Sequence, residues 1–200
     1  MNRRLLHAAI IATLLGTAQP AQAKAIEIWG SGLAGAGYGD GETDKDFFNW
    51  AGGAAVGVEV GVKFLFLAGY IDYLRFFGGD TGANLVSINV GSEGSFELGG
   101  DLELVLRLVG TFYIGTLDRA SRNNEDTGLA PPSEKVKTRG LGGRGGIGLR
   151  YRFAKIFSVG VTPLVGYHYF IGGADHDLLS ENSSGWDLQG LGYLRVGLGI

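Results

Sequence analysis

Along most of this chain apolar and polar residues alternate one by one. Between Trp50 and Lys63 the even positions are Trp50, Gly52, Ala54, Val56, Val58, Val60 and Val62, while the odd positions are small or charged, Glu59 among them. The same period runs through 84–98, where Val86, Ile88 and Val90 oppose Ser87, Asn89, Glu93 and Glu97. In 101–114, Leu102, Leu104, Leu106, Leu108, Phe112 and Ile114 oppose Glu103 and Arg107. It returns at 138–153, with Leu141, Ile147, Leu149, Tyr151 and Phe153 against Arg144, Arg150 and Arg152, and again at 157–171 and 186–200. A period of two puts successive side chains on opposite faces of a strand, whereas helical periodicity would scatter the charges among the apolar residues. Two weaker segments complete the set. Residues 27–39 are glycine-rich and alternate poorly, and in 68–77 Asp72 and Arg75 have opposite parity, which predicts a rim position or a bulge. The pattern predicts an all-β chain of eight strands with no helix between them, or ten if the first segment splits.

One motif competes with this reading. Gly30-Ser31-Gly32-Leu33-Ala34-Gly35 matches the glycine pattern of a dinucleotide-binding loop and follows the strand-like Ile26-Glu27-Ile28-Trp29. That loop must open a helix and be followed by an acidic residue about 20 positions on, within a βαβ unit. Here Ala36-Gly37-Tyr38-Gly39-Asp40-Gly41 follows, which forms loop and not helix. With 37 glycines in 200 residues such a match arises by chance, and no cofactor is expected.

The N-terminus changes where the strands are expected to work. Arg3 and Arg4 precede an apolar run from Leu5 to Leu15, and Ala21-Gln22-Ala23 follows, the three parts of a secretory signal peptide over residues 1–23. A single domain over 24–200 is then exported. The chain has no cysteine, which excludes a disulfide framework and thiolate chemistry. Its formal charge is −3 and becomes more negative once Arg3 and Arg4 are removed, so no nucleic-acid surface is implied.

The polarity of the two faces decides the environment. In a soluble barrel the apolar face fills the interior and the polar face meets water. Here the polar face is mostly glycine, serine and isolated charges, too sparse for a water-exposed exterior. The aliphatic face continues for longer than the ~9–11 residues a membrane strand needs. Hydrocarbon on the aliphatic side therefore predicts a transmembrane barrel, with Glu59, Arg107, Arg150 and Arg195 turned inward. Aromatic residues concentrate near strand ends: Trp50, Phe76, Phe112, Tyr169 and Trp186 beside the longer connections, Tyr151 and Phe153 beside the shorter ones. Two such girdles mark the membrane interfaces. Polar connections at 40–49, 78–83, 117–137 and 173–185 alternate with short turns near 63–68, 99–101 and 154–156, which puts both termini on the short-turn, periplasmic side. Pro163 lacks the N–H that a closed barrel requires, and a bulge is expected there.

Over residues 24–200 the chain resembles the small eight-stranded outer-membrane barrels, the OmpA-transmembrane-domain and OmpX class, in architecture and not through a diagnostic motif. The resemblance implies a closed antiparallel up-and-down barrel in the outer membrane of a Gram-negative cell. It also implies a last strand, with Leu194, Val196, Leu198 and Ile200 on one face, that the barrel-assembly machinery reads. The usual terminal aromatic is replaced by Ile200.

An eight-stranded barrel is only wide enough for its own side chains. The inward charges are segregated along the sequence: Glu59, Asp72, Glu93, Glu97 and Glu103 precede Arg144, Arg150, Arg152 and Arg195, with Arg107 on the fifth strand. They are expected to meet across the lumen as a salt-bridge plug. The function this supports is structural or surface-interacting, with outer-membrane lipid as surroundings, a possible extracellular partner at 117–137, a monomeric state and no catalytic or metal site. A narrow pore for ions or small solutes is the alternative, and a lipid A-modifying enzyme built on His168 comes behind it, since that parity points His168 inward. Asp175-His176-Asp177 and Ser180, Ser183 and Ser184 fit a solvated loop better than a metal or nucleophile site. N-terminal sequencing of the protein recovered from the cell envelope is expected to start at Lys24; a start at Met1 would remove the export argument.

Overall fold

The computed structural model describes residues 19–20, 26–41, 47–77, 82–120, 133–171 and 182–199. Eight strands follow one another: β1 (Ile26–Gly41), β2 (Gly53–Phe64), β3 (Leu67–Phe76), β4 (Gly82–Gly99), β5 (Leu102–Ala120), β6 (Ser133–Arg152), β7 (Phe157–Ile171) and β8 (Ser183–Gly199). Each pairs antiparallel with its neighbours in sequence, and β1 pairs with β8 from Glu27↔Gly199 to Gly41↔Gly185, which closes the ring. A closed sheet leaves no edge of unpaired N–H and C=O groups, the condition for strands to cross hydrocarbon. The count is eight, so the ten-strand alternative falls. Of the segment 1–23, only Gln19–Pro20 are described, paired with Glu97 and Phe96 outside β4.

The alternation sorts the side chains by sidedness. Val58, Val60, Leu108, Ile147, Leu149 and Leu198 lie on the outer surface, Leu108 with 69% of its area exposed. Glu59, Arg107, Arg150 and Arg195, their neighbours in sequence, are buried inside. No helix among the described residues is long and apolar enough to cross a membrane. The weak segments also find their places. On the outward face of β1, Gly30, Gly32, Ala34 and Ala36 leave little hydrophobic signal, while Trp29 and Leu33 point inward and are buried. In β3 no bulge is needed: Asp72 is inward and buried, and Arg75 is outward at the strand's end, its guanidinium 5.7 Å from the Phe77 ring.

Three expectations about local structure change. Residues 47–51 form a short helix, α1 (Phe47–Ala51), so Trp50 lies in a connection and not at the start of β2; its side chain is outside those described. Pro163 causes no bulge. The β6–β7 pairing lapses between Gly146↔Leu164 and Leu149↔Val161 and resumes in unchanged register, while Pro163 stays paired with Gly190 on β8. The missing donor thus costs a short interruption of one ladder. Strands β5 and β6 continue to Ala120↔Ser133, so much of 117–137 is hairpin, with 121–132 outside the described residues. The short β2–β3 turn carries Leu65 at φ 55°, a left-handed conformation that favours glycine or asparagine.

Sidedness yields a direct test. Val58→Arg places a guanidinium in the outward mid-strand belt and is expected to destabilise the barrel by about 2–4 kcal/mol in reversible unfolding from lipid vesicles. A loss near zero would mean that this face is bathed in water.

Candidate functional site

The lumen is where the chemistry-bearing residues converge, and the register explains how. Directly opposed inward pairs are Glu27↔Lys63, Glu93↔Arg107 and Glu103↔Arg150, so three ion pairs follow from strand pairing alone. Two opposed pairs are of like charge, Glu97↔Glu103 at the rim, where Glu97 is exposed, and Glu59↔Asp72 inside. Such a pair is unfavourable unless each carboxylate finds its own cation, and here Glu59 and Asp72 turn to different layers.

In the layer nearer the short turns, Glu59 and Glu93 bridge Arg107 and Arg195. Arg107 donates from Nη1 to Glu59 Oε2 at 3.0 Å and from Nε and Nη2 to Glu93 Oε2 at 3.0 and 2.6 Å. Arg195 donates from Nη1 to Glu93 Oε1 and from Nη2 to Glu59 Oε1, both at 3.2 Å. Trp29 Nε1 donates to Glu59 Oε1 at 2.7 Å. Aromatic faces cover the guanidinium groups: Arg107 lies 4.5 Å from the Tyr70 ring centroid, and Arg195 4.6 Å from that of Trp29. Further toward the turns, Arg150 donates from Nε to Glu103 Oε2 at 2.6 Å and places Nη1 3.7 Å from Glu93 Oε1. Arg152 also bonds Glu103, but its side chain is 38% exposed.

The layer nearer the long connections is looser. Arg144, 2% exposed, donates to Tyr113 OH at 2.8 Å and Ser87 Oγ at 3.2 Å, with Asp187 Oδ1 at 3.8 Å and Asp72 Oδ2 at 3.9 Å. Asn89 donates to Asp72 Oδ2 at 2.8 Å and accepts from Thr111 Oγ1. Gln189 donates to Asp187 Oδ1 at 3.2 Å, and His168 Nδ1 lies 3.4 Å from Asp187 Oδ2. Gly166 makes this possible, since a Cβ there would lie 2.6 Å from Asp187 Oδ2. Between the two layers a cavity of about 20 Å³ is lined by Glu59, Tyr70, Asp72, Arg107 and Arg144. That volume holds about one water molecule.

Above these layers α1 closes the mouth. Phe47 and Phe48 have no exposed surface, and Phe48 packs against Phe76, Tyr113, His168 and Phe170 with ring centroids 4.9–6.4 Å apart. Two inward glycines form the socket. A Cβ on Gly39 would fall 2.1 Å from Phe48 Cβ, and one on Gly115 would fall 2.7 Å from Phe47 Cε2.

Of the ten charged residues assigned to the lumen from sequence, Glu59, Asp72, Glu93, Glu103, Arg107, Arg144, Arg150 and Arg195 are buried inside, and Arg152 is at the mouth. Glu97 is different: it has the inward parity but lies at the rim, exposed to solvent. Glu27, Lys63 and Asp187 belong to the lumen and were not assigned to it. Parity places all three, but Glu27 stands at the start of its strand, Lys63 beside a turn and Asp187 near a loop, where parity carries least weight. Among the assigned girdle residues, Tyr151, Phe153, Tyr169 and Trp186 are outward and exposed and Phe112 is outward and half-buried. Phe76 points inward under Phe48, because its parity in β3 follows Asp72 and Leu74. Leu194, Val196 and Leu198 line the outer face of β8, and Ile200 lies outside the described residues.

Convergence on Glu93 gives the sharpest expectation. Glu93→Gln leaves the buried Arg107 and Arg195 without one carboxylate and is expected to cost about 3–5 kcal/mol. Arg152→Gln, at a half-exposed pair, should cost less than about 1 kcal/mol. Denaturant unfolding in the same detergent compares the two, and equal losses would show that the lumen is hydrated.

No family model matches the sequence, and no curated protein sequence matches it. In structure, the chain is similar to Neisserial surface protein A, with 15% identity over 88% of this chain and 99% of that one at a TM-score of 0.50. It is also similar to a major outer membrane protein from Thermus thermophilus, with 10% identity over 87% and 100% of the two chains at a TM-score of 0.50. At such identities the likeness speaks for fold alone: the chain has the closed eight-stranded architecture of the small outer-membrane barrels.

Proposed function

We propose that this protein is an integral outer-membrane barrel, exported by its signal segment, with a lumen that its own side chains close. It acts through its place in the envelope and its surface connections, and not by transport or catalysis. The observation that carries the reading is the filling of the interior. Six carboxylates (Glu27, Glu59, Asp72, Glu93, Glu103 and Asp187) are matched by six cations (Lys63, Arg107, Arg144, Arg150, Arg152 and Arg195) in the described lumen. The gap between the two layers is the size of one water, and α1 sits across the mouth. A permeating ion would have to break several of these contacts at once, in a region where an unpaired charge is costly.

The surface role is supported by the β5–β6 hairpin. Its strands are 19 and 20 residues long, about twice what a membrane crossing requires, so the hairpin extends past the bilayer toward any partner at 117–137. The placement of His168 supports a packing role: it is enclosed between Phe48, Phe170 and Asp187 and turned away from lipid.

Planar-bilayer recording tests the closed lumen. Wild-type protein is expected to show no large persistent conductance, and Glu103→Gln or Arg150→Gln no change in ion selectivity. A stable conductance whose selectivity follows these charges would establish the pore instead. Protease added to intact cells should cut within 117–137; protection there would remove the surface role.

A further inference from the structure

A second cavity lies at the other mouth, among the short turns. It measures about 30 Å³ and is lined by Glu27, Arg150, Arg152, Lys155, Ser158 and Arg195. Although Arg150 and Arg152 are also bonded to Glu103, and Arg195 to Glu59 and Glu93, its own lining holds four cations and one carboxylate. That carboxylate is already engaged, since Glu27 Oε2 accepts from Lys63 Nζ at 3.0 Å. A second observation is independent of the charge. The Nε–H of Arg195 is buried and has no acceptor among the described residues, although both terminal nitrogens of the same guanidinium are bonded to Glu59 and Glu93. A buried donor without an acceptor is costly, and Arg195 is one of the residues that line this cavity.

From these facts we infer that the turn-side mouth is an oxyanion site, where a phosphate group docks from outside with one oxygen in the cavity. Arg152 and Lys155 are the entry contacts, because both reach solvent. Ser158 and Arg195, directly opposed across the ladder, are buried members of the lining. Oxyanions are held by such convergent charged donors more strongly than by neutral ones. Glu97 and Asp101 stand on the adjacent β4–β5 hairpin at the same end, but they are exposed to water and do not line the cavity. Water screens them, as it does Lys155, whereas the buried Arg150 and Arg195 are screened much less. The shared chemistry is the phosphate oxygen, which reaches this end either as a phospholipid headgroup of the neighbouring leaflet or as soluble phosphate. The inference rests on the mouth alone and stands whether or not the middle of the lumen conducts.

The test uses the full barrel in a zwitterionic detergent without phosphate. Inorganic phosphate, and separately a short-chain phosphatidylglycerol, are titrated while the backbone amides of 153–158 are followed by NMR. The expected result is a saturable shift of these amides by at least one probe, with affinity lowered about tenfold in the doubly substituted Arg152→Gln/Lys155→Gln protein. Saturation by both probes identifies a site for phosphate as such, and saturation by the lipid alone identifies a headgroup site. Both substituted side chains reach solvent, so the unfolding midpoint should reflect no more than the small stability loss expected for Arg152→Gln, which separates lost binding from lost folding. Absence of saturation with either probe, or equal affinity in the substituted protein, overturns the inference.

Discussion

Every inside-versus-outside assignment in this molecule depends on one set of hydrogen bonds, those that join β1 to β8. Fifteen consecutive rungs close the sheet between Glu27↔Gly199 and Gly41↔Gly185. Once closed, the wall has two non-exchangeable faces. A slip of one residue in any strand would carry a charged row into lipid and an aliphatic row into the lumen. The chain guards its register with consequences on both sides: outward arginine is costly in hydrocarbon, and inward leucine would leave buried charges without partners.

Closure also converts the lumen from a space into a packing problem. Long guanidinium side chains from β5, β6 and β8 reach carboxylates on β2 and β4, and Tyr70, Trp29 and Tyr113 supply aromatic faces for three of them. Inward glycines are the counterpart of these large groups. Gly166 lets Arg144 and Asp187 approach, and Gly39 and Gly115 seat the two phenylalanines of α1. The abundance of glycine thus has a steric reason specific to a narrow barrel: where one strand sends a large side chain across, the facing strand must send none.

The two ends of the lumen differ in kind. Toward the long connections it ends in rings packed edge-on and tilted around Phe48, with Arg144, Asp72, Asp187 and His168 buried beneath them. Toward the short turns it ends in half-exposed basic groups and is open to solvent at Arg152 and Lys155.

Strand number, sidedness and the inward set from Glu59 to Arg195 were legible in the sequence, because a strand's two faces follow from a period of two and from the cost of charge in hydrocarbon. Three kinds of feature were not. The helix α1 was hidden because Phe47 and Phe48 fall in a segment that reads as a polar connection and Trp50 reads as a girdle residue, and only a socket formed by distant Gly39 and Gly115 gives the two phenylalanine rings a place inside. Phe76 was assigned outward because it lies near a strand end, whereas the β2–β3 register sets it beneath Phe48. Partner choice was invisible as well: Glu59 faces Asp72 across the ladder, and its actual cations, Arg107 and Arg195, come from strands 48 and 136 residues away. Local pattern determines which face a residue occupies. The curvature and closure of the whole sheet decide whom it meets there, since contacts across a lumen carry no periodic trace along the chain.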